Sequence, residues 1–421
     1  MNTFRDSRPA SAAPGAGRQA PGPRPAAPPP GVGRARLTEL RGPGVRPRSL
    51  DARALAALAA NPGCRRRALL DGAGIDKGAL AQALGSPATH GQSQFALIRG
   101  NAFEARVKAD GGTELLRLLH ERFAPGTPPP GPEEIAAPDL SAAGPEGRAA
   151  RTALALREAT AAGGWALLDH PMLVLEVAGS PAYVEPDAVV VHPDGGWTVV
   201  EIKSFPMIDG SADAAKVGAA ARQAAVYVLA LEQVAGHAAA HTGRAVRVSD
   251  RVLLVCPKDF SNLPAAAAVD VRKQLATTRR QLTRLTRVEE IAAALPQGTT
   301  FDLRLADDGR TPTRPPEELA EAVEAVGAAY APECLAACEL AFHCRKRSRQ
   351  EGAVEALGRG VRGELGGLGT VEEVLAAAAS TDPGGLDDPA VLALRRAAAL
   401  RARALAGATA AAERASEPVC R

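Results

Sequence analysis

The sequence predicts an α/β fold, a mixed sheet built around an antiparallel meander with flanking helices. Three observations carry this reading. Residues 172–177, 183–191 and 197–202 are short β-branched runs separated by short turns, as in an antiparallel meander. An alanine-rich stretch over 212–235 has the length and composition of a long helix. After it, Arg251-Val-Leu-Leu-Val255 is an uninterrupted apolar run, the mark of a strand buried on both faces.

Taken in order, residues 1–48 are rich in Pro, Ala, Gly and Arg and poor in large apolar side chains, so disorder is expected there. Asp51 caps a helix over 51–60, and Asn61-Pro62-Gly63 breaks the chain just before Cys64. Residues 90–122 read as mostly helical and carry Glu104. A Pro/Gly-rich loop over 124–147 leads to a helix over 148–162 and then to the meander. Helices over 269–294 and 316–329 lead to a group of cysteines, and from residue 351 the chain is helical and alanine-rich. The expected organisation is a tail at 1–48, a folded unit at 49–350 and a helical extension at 351–421. In that extension Gly366-Gly-Leu-Gly369 precedes Thr370, which forms a capping box with Glu373. A Gly-x-Gly turn between short helices resembles a helix-hairpin-helix, whose amides hold a DNA phosphate; an ordinary capped turn explains it more simply.

The 421 residues allow two domains, or one elaborated domain with tails. A net charge of +3 does not by itself mark a nucleic-acid binder, so any binding charge must be local. Two clusters stand out: Arg65, Arg66 and Arg67, and Arg345, Lys346 and Arg347 with Arg349. Each is either a solvated basic face or a grip on DNA. The opening residues lack the apolar core of a signal peptide, and no run of about 20 uncharged apolar residues occurs. The expectation is a cytoplasmic protein with no membrane association, where disulfides are rare.

The chemistry concentrates in residues 186–203. Two apolar, β-branched segments flank Pro193-Asp-Gly-Gly196, a hairpin signal. Asp187 opens the first strand, and Glu201-Ile202-Lys203 closes the second. Alternation puts Glu201 and Lys203 on one face and Ile202 on the other. Pairing across the turn brings Asp187 near Glu201. Two carboxylates suit Mg²⁺ or Mn²⁺, with the Ile202 carbonyl as a further oxygen ligand and Lys203 to orient or deprotonate water. The plain alternative is an exposed hairpin with a surface salt bridge.

Of six cysteines, Cys334, Cys338 and Cys344 are closely spaced. In a reducing compartment such a trio points to metal more than to a disulfide. A tetrahedral thiolate site for zinc or an iron–sulfur cluster needs a fourth ligand, which Cys64 can supply. His343 is an alternative ligand if the metal is zinc. Cys256 lies within the apolar strand and reads as a core residue, and Cys420 lies in the terminal tail.

Pro186-Asp187 followed by Glu201-Ile202-Lys203 resembles the signature of the PD-(D/E)xK nuclease superfamily. Gly100-Asn-Ala-Phe-Glu104 upstream and Gln223-Ala-Ala-Val-Tyr227 downstream, in that order, resemble its RecB-like branch. The resemblance implies a restriction-endonuclease-like core, Glu104 as a further metal ligand, and Gln223 and Tyr227 facing the substrate or holding Lys203. Cys64, followed by three arginines and Ala-Leu-Leu, with three late cysteines, is similar to the iron–sulfur subset that includes CRISPR-associated RecB-like exonucleases. It implies a cluster, 4Fe-4S in type, with zinc as the runner-up, on Cys64, Cys334, Cys338 and Cys344. The resemblance covers residues 60–350 and departs locally: three residues separate Cys334 from Cys338 where the family has two. It implies hydrolysis of DNA, single-stranded or at ends, in repair, recombination or CRISPR-type processing. No Walker motif is present, so a helicase would be a partner. Rival readings are a restriction or toxin endonuclease, an inactive DNA-binding module, and an interaction scaffold built on the C-terminal helices.

Overall fold

The computed structural model describes residues 30–87, 94–126, 128–259, 261–283, 287–308, 312–381 and 388–416. Six helices come first: α1 (Pro30–Arg41), α2 (Ala52–Ala60), α3 (Arg65–Gly72), α4 (Lys77–Ala83), α5 (Gln94–Lys108) and α6 (Thr113–Phe123). Asp51 caps α2 as expected, accepting the Ala54 N–H at 2.7 Å. Strand β1 (Ile135–Ala136) and helix α7 (Gly144–Ala162) lead to β2 (Trp165–Asp169), β3 (Leu173–Val177), β4 (Ser180–Val184), β5 (Ala188–Val191) and β6 (Gly196–Ile202). Helix α8 (Ala214–Thr242) is followed by β7 (Arg247–Val248), β8 (Arg251–Pro257) and β9 (Pro264–Asp270). The remainder is helical: α9 (Arg272–Leu282), α10 (Val288–Ala293), α11 (Pro316–Glu324), α12 (Ala341–Gln350), α13 (Arg359–Glu364), α14 (Val371–Ala379) and α15 (Pro389–Ser416).

The main sheet has the order β1-β2-β5-β6-β8-β9, with β7 beside the start of β6. Strands β2, β5 and β6 form an antiparallel meander, β8 joins β6 in parallel through α8, and β9 returns antiparallel. This is the mixed sheet with an antiparallel meander. β5 is buried on both faces because helices cover both. Phe103, Val107, Leu115 and Leu119 of α5 and α6 pack on Val190, Val200, Leu253 and Val255. On the opposite face Val189, Trp197 and Val199 meet Ala224, Tyr227 and Leu231 of α8.

The meander uses different strands from those expected. Residues 172–177 form β3, which pairs only with β4 as a separate hairpin. Its alternating burial explains this: Leu173, Leu175 and Val177 face inward, while Glu176 faces water, so β3 suits one covered face and not a central position. The expected strand over 183–191 splits into β4 and β5, because Pro186 has no N–H to offer a ladder. The third strand of the meander is β2, which the sequence reading missed. The helix expected over 269–294 begins later, because β9, rich in alanine, is recruited by pairing along the whole of β8.

Disorder to residue 48 is also corrected, over 30–48. Leu37 and Leu40 of α1 are three apart and share a buried face, and Phe301 donates its N–H to the Leu40 carbonyl at 2.7 Å. Two leucines suffice to anchor this helix in a segment otherwise poor in apolar residues. Residues 1–29 lie outside the described residues, as does Cys420.

Candidate functional site

The meander's register builds the site. Asp169 pairs with Ala188, and Ala188 pairs with Val200. One residue further along each strand, His170, Asp187 and Glu201 form a row across three neighbouring strands. The His170 N–H donates to the Asp187 carbonyl at 3.3 Å, which continues the ladder by one step. His170 has φ 45°, a left-handed backbone that a non-glycine residue adopts at a cost. Helix α5 brings Glu104 to the same place: its Oε1 lies 3.0 Å from His170 Nε2.

Among the described residues, Glu104, His170 and Asp187 are the one trio whose candidate ligand atoms all lie within 4.8 Å of one another. The Lys108 ammonium lies among them. It is 2.5 Å from Glu104 Oε1, 2.6 Å from Asp169 Oδ1, 2.8 Å from the Asp187 carbonyl and 3.3 Å from His170 Nε2. A cation of the chain's own therefore stands where these acceptors converge. Burial alone would raise the Glu104 carboxyl, but the hydrogen bonds from His170 and Lys108 hold it at about 2. The bond to Glu104 raises His170.

Asp187 and Glu201 behave in the opposite sense. Burial raises Asp187, against the pull of Lys203 and of the Ile202 N–H, which donates to Asp187 Oδ2 at 2.5 Å. Ile202 thus reaches Asp187 through its backbone, while its side chain packs on the far face with Phe103. Glu201 is wholly buried, and burial pushes it up to about 7. The Lys203 ammonium contacts Glu201 Oε1 as an ion pair, while the buried Oε2 has no hydrogen-bond partner. Buried, unsatisfied carboxylate oxygens are costly and rare. Gln223 Oε1 faces Lys203 Nζ at 3.4 Å, and Gln223 Nε2 donates to the Tyr227 hydroxyl at 2.8 Å. Tyr227 is buried in the core. The Gln-x-x-x-Tyr pair therefore stands behind Lys203, with Gln223 half-buried and Tyr227 in the core.

All the expected acidic-site residues converge, and His170 and Lys108 join them. The sequence held a weak signal for each. His170 stands between a strand end and Pro171, and Lys108 lies one helical turn after Glu104.

The cysteines gather at a second place. Cys64 is buried at the start of α3, Cys334 lies in a 3₁₀ turn (Pro332–Ala336), and Cys344 lies on α12. Burial raises the Cys344 thiol, against Arg66, and the neighbouring Cys64 and Cys334 add to the rise. Burial pushes Cys338 up to about 12, opposed by Arg67. Cys256 is fully buried in β8 beside Met207.

The first basic cluster is not what the sequence suggested. Arg66 and Arg67 are buried, and their guanidiniums join α3 to the cysteine segment. Arg66 donates to the Val326 carbonyl at 3.1 Å and pairs with Glu324, and Arg67 donates to the Ala337 carbonyl at 2.5 Å and pairs with Asp71 at 3.0 Å. Neither can meet a DNA backbone. Of that cluster only Arg65 is exposed. In the second cluster Lys346 and Arg349 are exposed, Arg345 is half-buried, and Arg347 lies 3.5 Å from Glu324 and 3.4 Å from Glu351. The amides of the glycine turn are likewise committed: Gly369 and Thr370 both donate to Glu373 Oε2. The turn is a helix cap, not a phosphate cradle.

A cavity of about 890 Å³ lies at the opposite end of the sheet, by Trp165, His192 and Trp197. Its arginines are spent on acids: Arg247 on Asp194, Arg272 on Asp270 and Arg279 on Glu232. No helix among the described residues is long and apolar enough to cross a membrane. No family model matches this chain, and no match was found among curated proteins or solved structures.

Proposed function

We propose that this chain is a Mg²⁺- or Mn²⁺-dependent nuclease of the RecB-like PD-(D/E)xK kind, hydrolysing DNA phosphodiester bonds. The observation that carries the reading is the row of His170, Asp187 and Glu201, with Glu104 above it and Lys203 beside it. A divalent cation fits this donor set: hard oxygen ligands with one imidazole, and in Glu201 a buried carboxylate whose Oε2 has no partner. Asp187, Glu201, Glu104 and His170 would hold it. When bound, the cation supplies charge neutralisation at the phosphate and acidifies a coordinated water.

The chain's own groups do the rest. Lys203 is fixed by Glu201 on one side and by Gln223 on the other, so its ammonium is aimed before substrate arrives. It positions the attacking water or stabilises charge building on the phosphate. Tyr227 holds the Gln223 amide in the orientation that leaves Oε1 for Lys203. No group in the row reads a base, so little sequence preference follows.

The second site is a set of four thiols: Cys64, Cys334, Cys338 and Cys344 would hold an iron–sulfur cluster, 4Fe-4S in type, with zinc as the alternative.

The test is incubation of anaerobically purified protein with end-labelled single- and double-stranded DNA and Mg²⁺ or Mn²⁺. Metal-dependent cleavage that disappears in Asp187→Ala is expected. Absence of cleavage on every substrate, RNA included, with either metal would refute the reading.

A further inference from the structure

Two nitrogen donors reach cysteine sulfurs. Arg66 Nη1 donates to Cys344 Sγ at 3.3 Å, and Asn61 Nδ2 donates to Cys334 Sγ at 3.4 Å. Both donors are held from other sides. The Arg66 backbone N–H donates to the Gly327 carbonyl at 2.9 Å, its Nε to Val326, and its Nη2 to Glu324 at 3.1 Å. Asn61 Nδ2 also donates to the Ala329 carbonyl at 2.6 Å. Arg66 is almost wholly buried, so its charge acts on the sulfur with little screening by water. Glu324, which shares Arg66 with the sulfur, is itself bound by His343 at 2.8 Å.

We propose that Arg66 and Asn61 are positioning residues of the four-cysteine site, which stabilise its thiolates and raise the reduction potential of the cluster they hold. The proposal rests on the reading of the cysteines as an iron–sulfur site. Both donors end on sulfurs that would ligate the cluster, and an N–H donor to sulfur strengthens with the negative charge the sulfur carries. One-electron reduction adds negative charge to the cluster, which is delocalised onto its sulfurs, so the N–H···S bonds strengthen on reduction. The electron comes from an external reductant, dithionite or an electrode, and no atom is transferred. Arg67 contributes charge near Cys338 but donates to the Ala337 carbonyl, so its part is secondary.

The experiment uses the full-length protein, reconstituted anaerobically with iron and sulfide and titrated potentiometrically with EPR detection. Arg66→Met and Asn61→Leu should each disfavour reduction about tenfold, a fall of about 59 mV for a one-electron couple. Arg66→Lys, which keeps a donor and the charge, should recover part of the shift, and exposed Arg65→Ala should move it little. Both variants holding a full cluster at the wild-type potential would overturn the proposal. If Arg66→Met fails to fold, Asn61→Leu alone decides. If wild type takes up zinc in place of iron, the iron–sulfur reading fails separately. Zinc affinity then replaces the potential as the readout: a tenfold loss in either variant supports the donor role, and unchanged affinity overturns it. Wild type that binds neither metal overturns both.

Discussion

Replacing Lys108 by Met asks whether the ammonium among Glu104, His170 and Asp187 holds a cation's place. Lys108 is largely buried, so its contacts are worth more than surface pairs. Asp169 is 61% exposed and contributes little. That leaves the bond to Glu104 at 2.5 Å and the bond to the Asp187 carbonyl at 2.8 Å. A hydrogen bond to a charged group contributes about 1.5–3 kcal/mol. A divalent ion that displaces the ammonium gives up at least one of these bonds, which is roughly a tenfold to hundredfold penalty in affinity for each bond lost. Lys108→Met keeps an unbranched stem, one atom shorter, removes the charge and lifts the penalty. Calorimetric titration with Mn²⁺ should give a Kd lower by about tenfold or more. Glu104→Gln in the same background should abolish the gain. A folded Lys108→Met protein that binds Mn²⁺ no better than wild type would refute the reasoning.

Four further outcomes follow. Lys203→Ala should cost at least about 10²-fold in cleavage rate while leaving DNA binding nearly intact. Gln223→Ala should lower kcat with little change in KM, since Gln223 braces Lys203; an unchanged kcat would show that the brace is idle. Stability of the metal-free protein should fall as pH rises from about 4.5 to about 7. Glu201 has its folded value raised to about 7 from 4.5, so the native state binds more protons in that window, and Glu201→Gln should flatten that part of a pH–stability curve. Leu40→Ala should destabilise the fold by about 2–5 kcal/mol in urea, because Leu40 is fully buried; a negligible change would detach α1 from the core.

The acidic site was legible because strand alternation and a turn fix register: from Asp187, Glu201 and the hairpin turn, the pairing follows. His170 was not legible, because it enters from β2, a strand whose partner choice depends on where the β3–β4 hairpin leaves the sheet. The alanine run in β9 reads as helix until β8 supplies a ladder. The convergence of Cys64 with the late cysteines was readable from residue type alone. The arginines were misread for one reason: a guanidinium beside a cysteine looks alike on a surface and in an interior, and only carbonyls at 326 and 337, remote in sequence, decide which it is.

That remoteness constrains how the protein is made. Asn61 lies 273 residues before Cys334, and Arg66 lies 278 before Cys344. At about 5–20 residues per second, a ribosome needs roughly 15–50 seconds to deliver these partners. Throughout that interval Arg66 and Arg67 lack their late partners at 324, 326 and 337. Cys334, Cys338 and Cys344 emerge nearly together, whereas Cys64 has waited as a lone thiol since early in synthesis. A metal held by all four cysteines could not be loaded until Cys344 had emerged, and Cys64 would be the ligand longest open to oxidation before then.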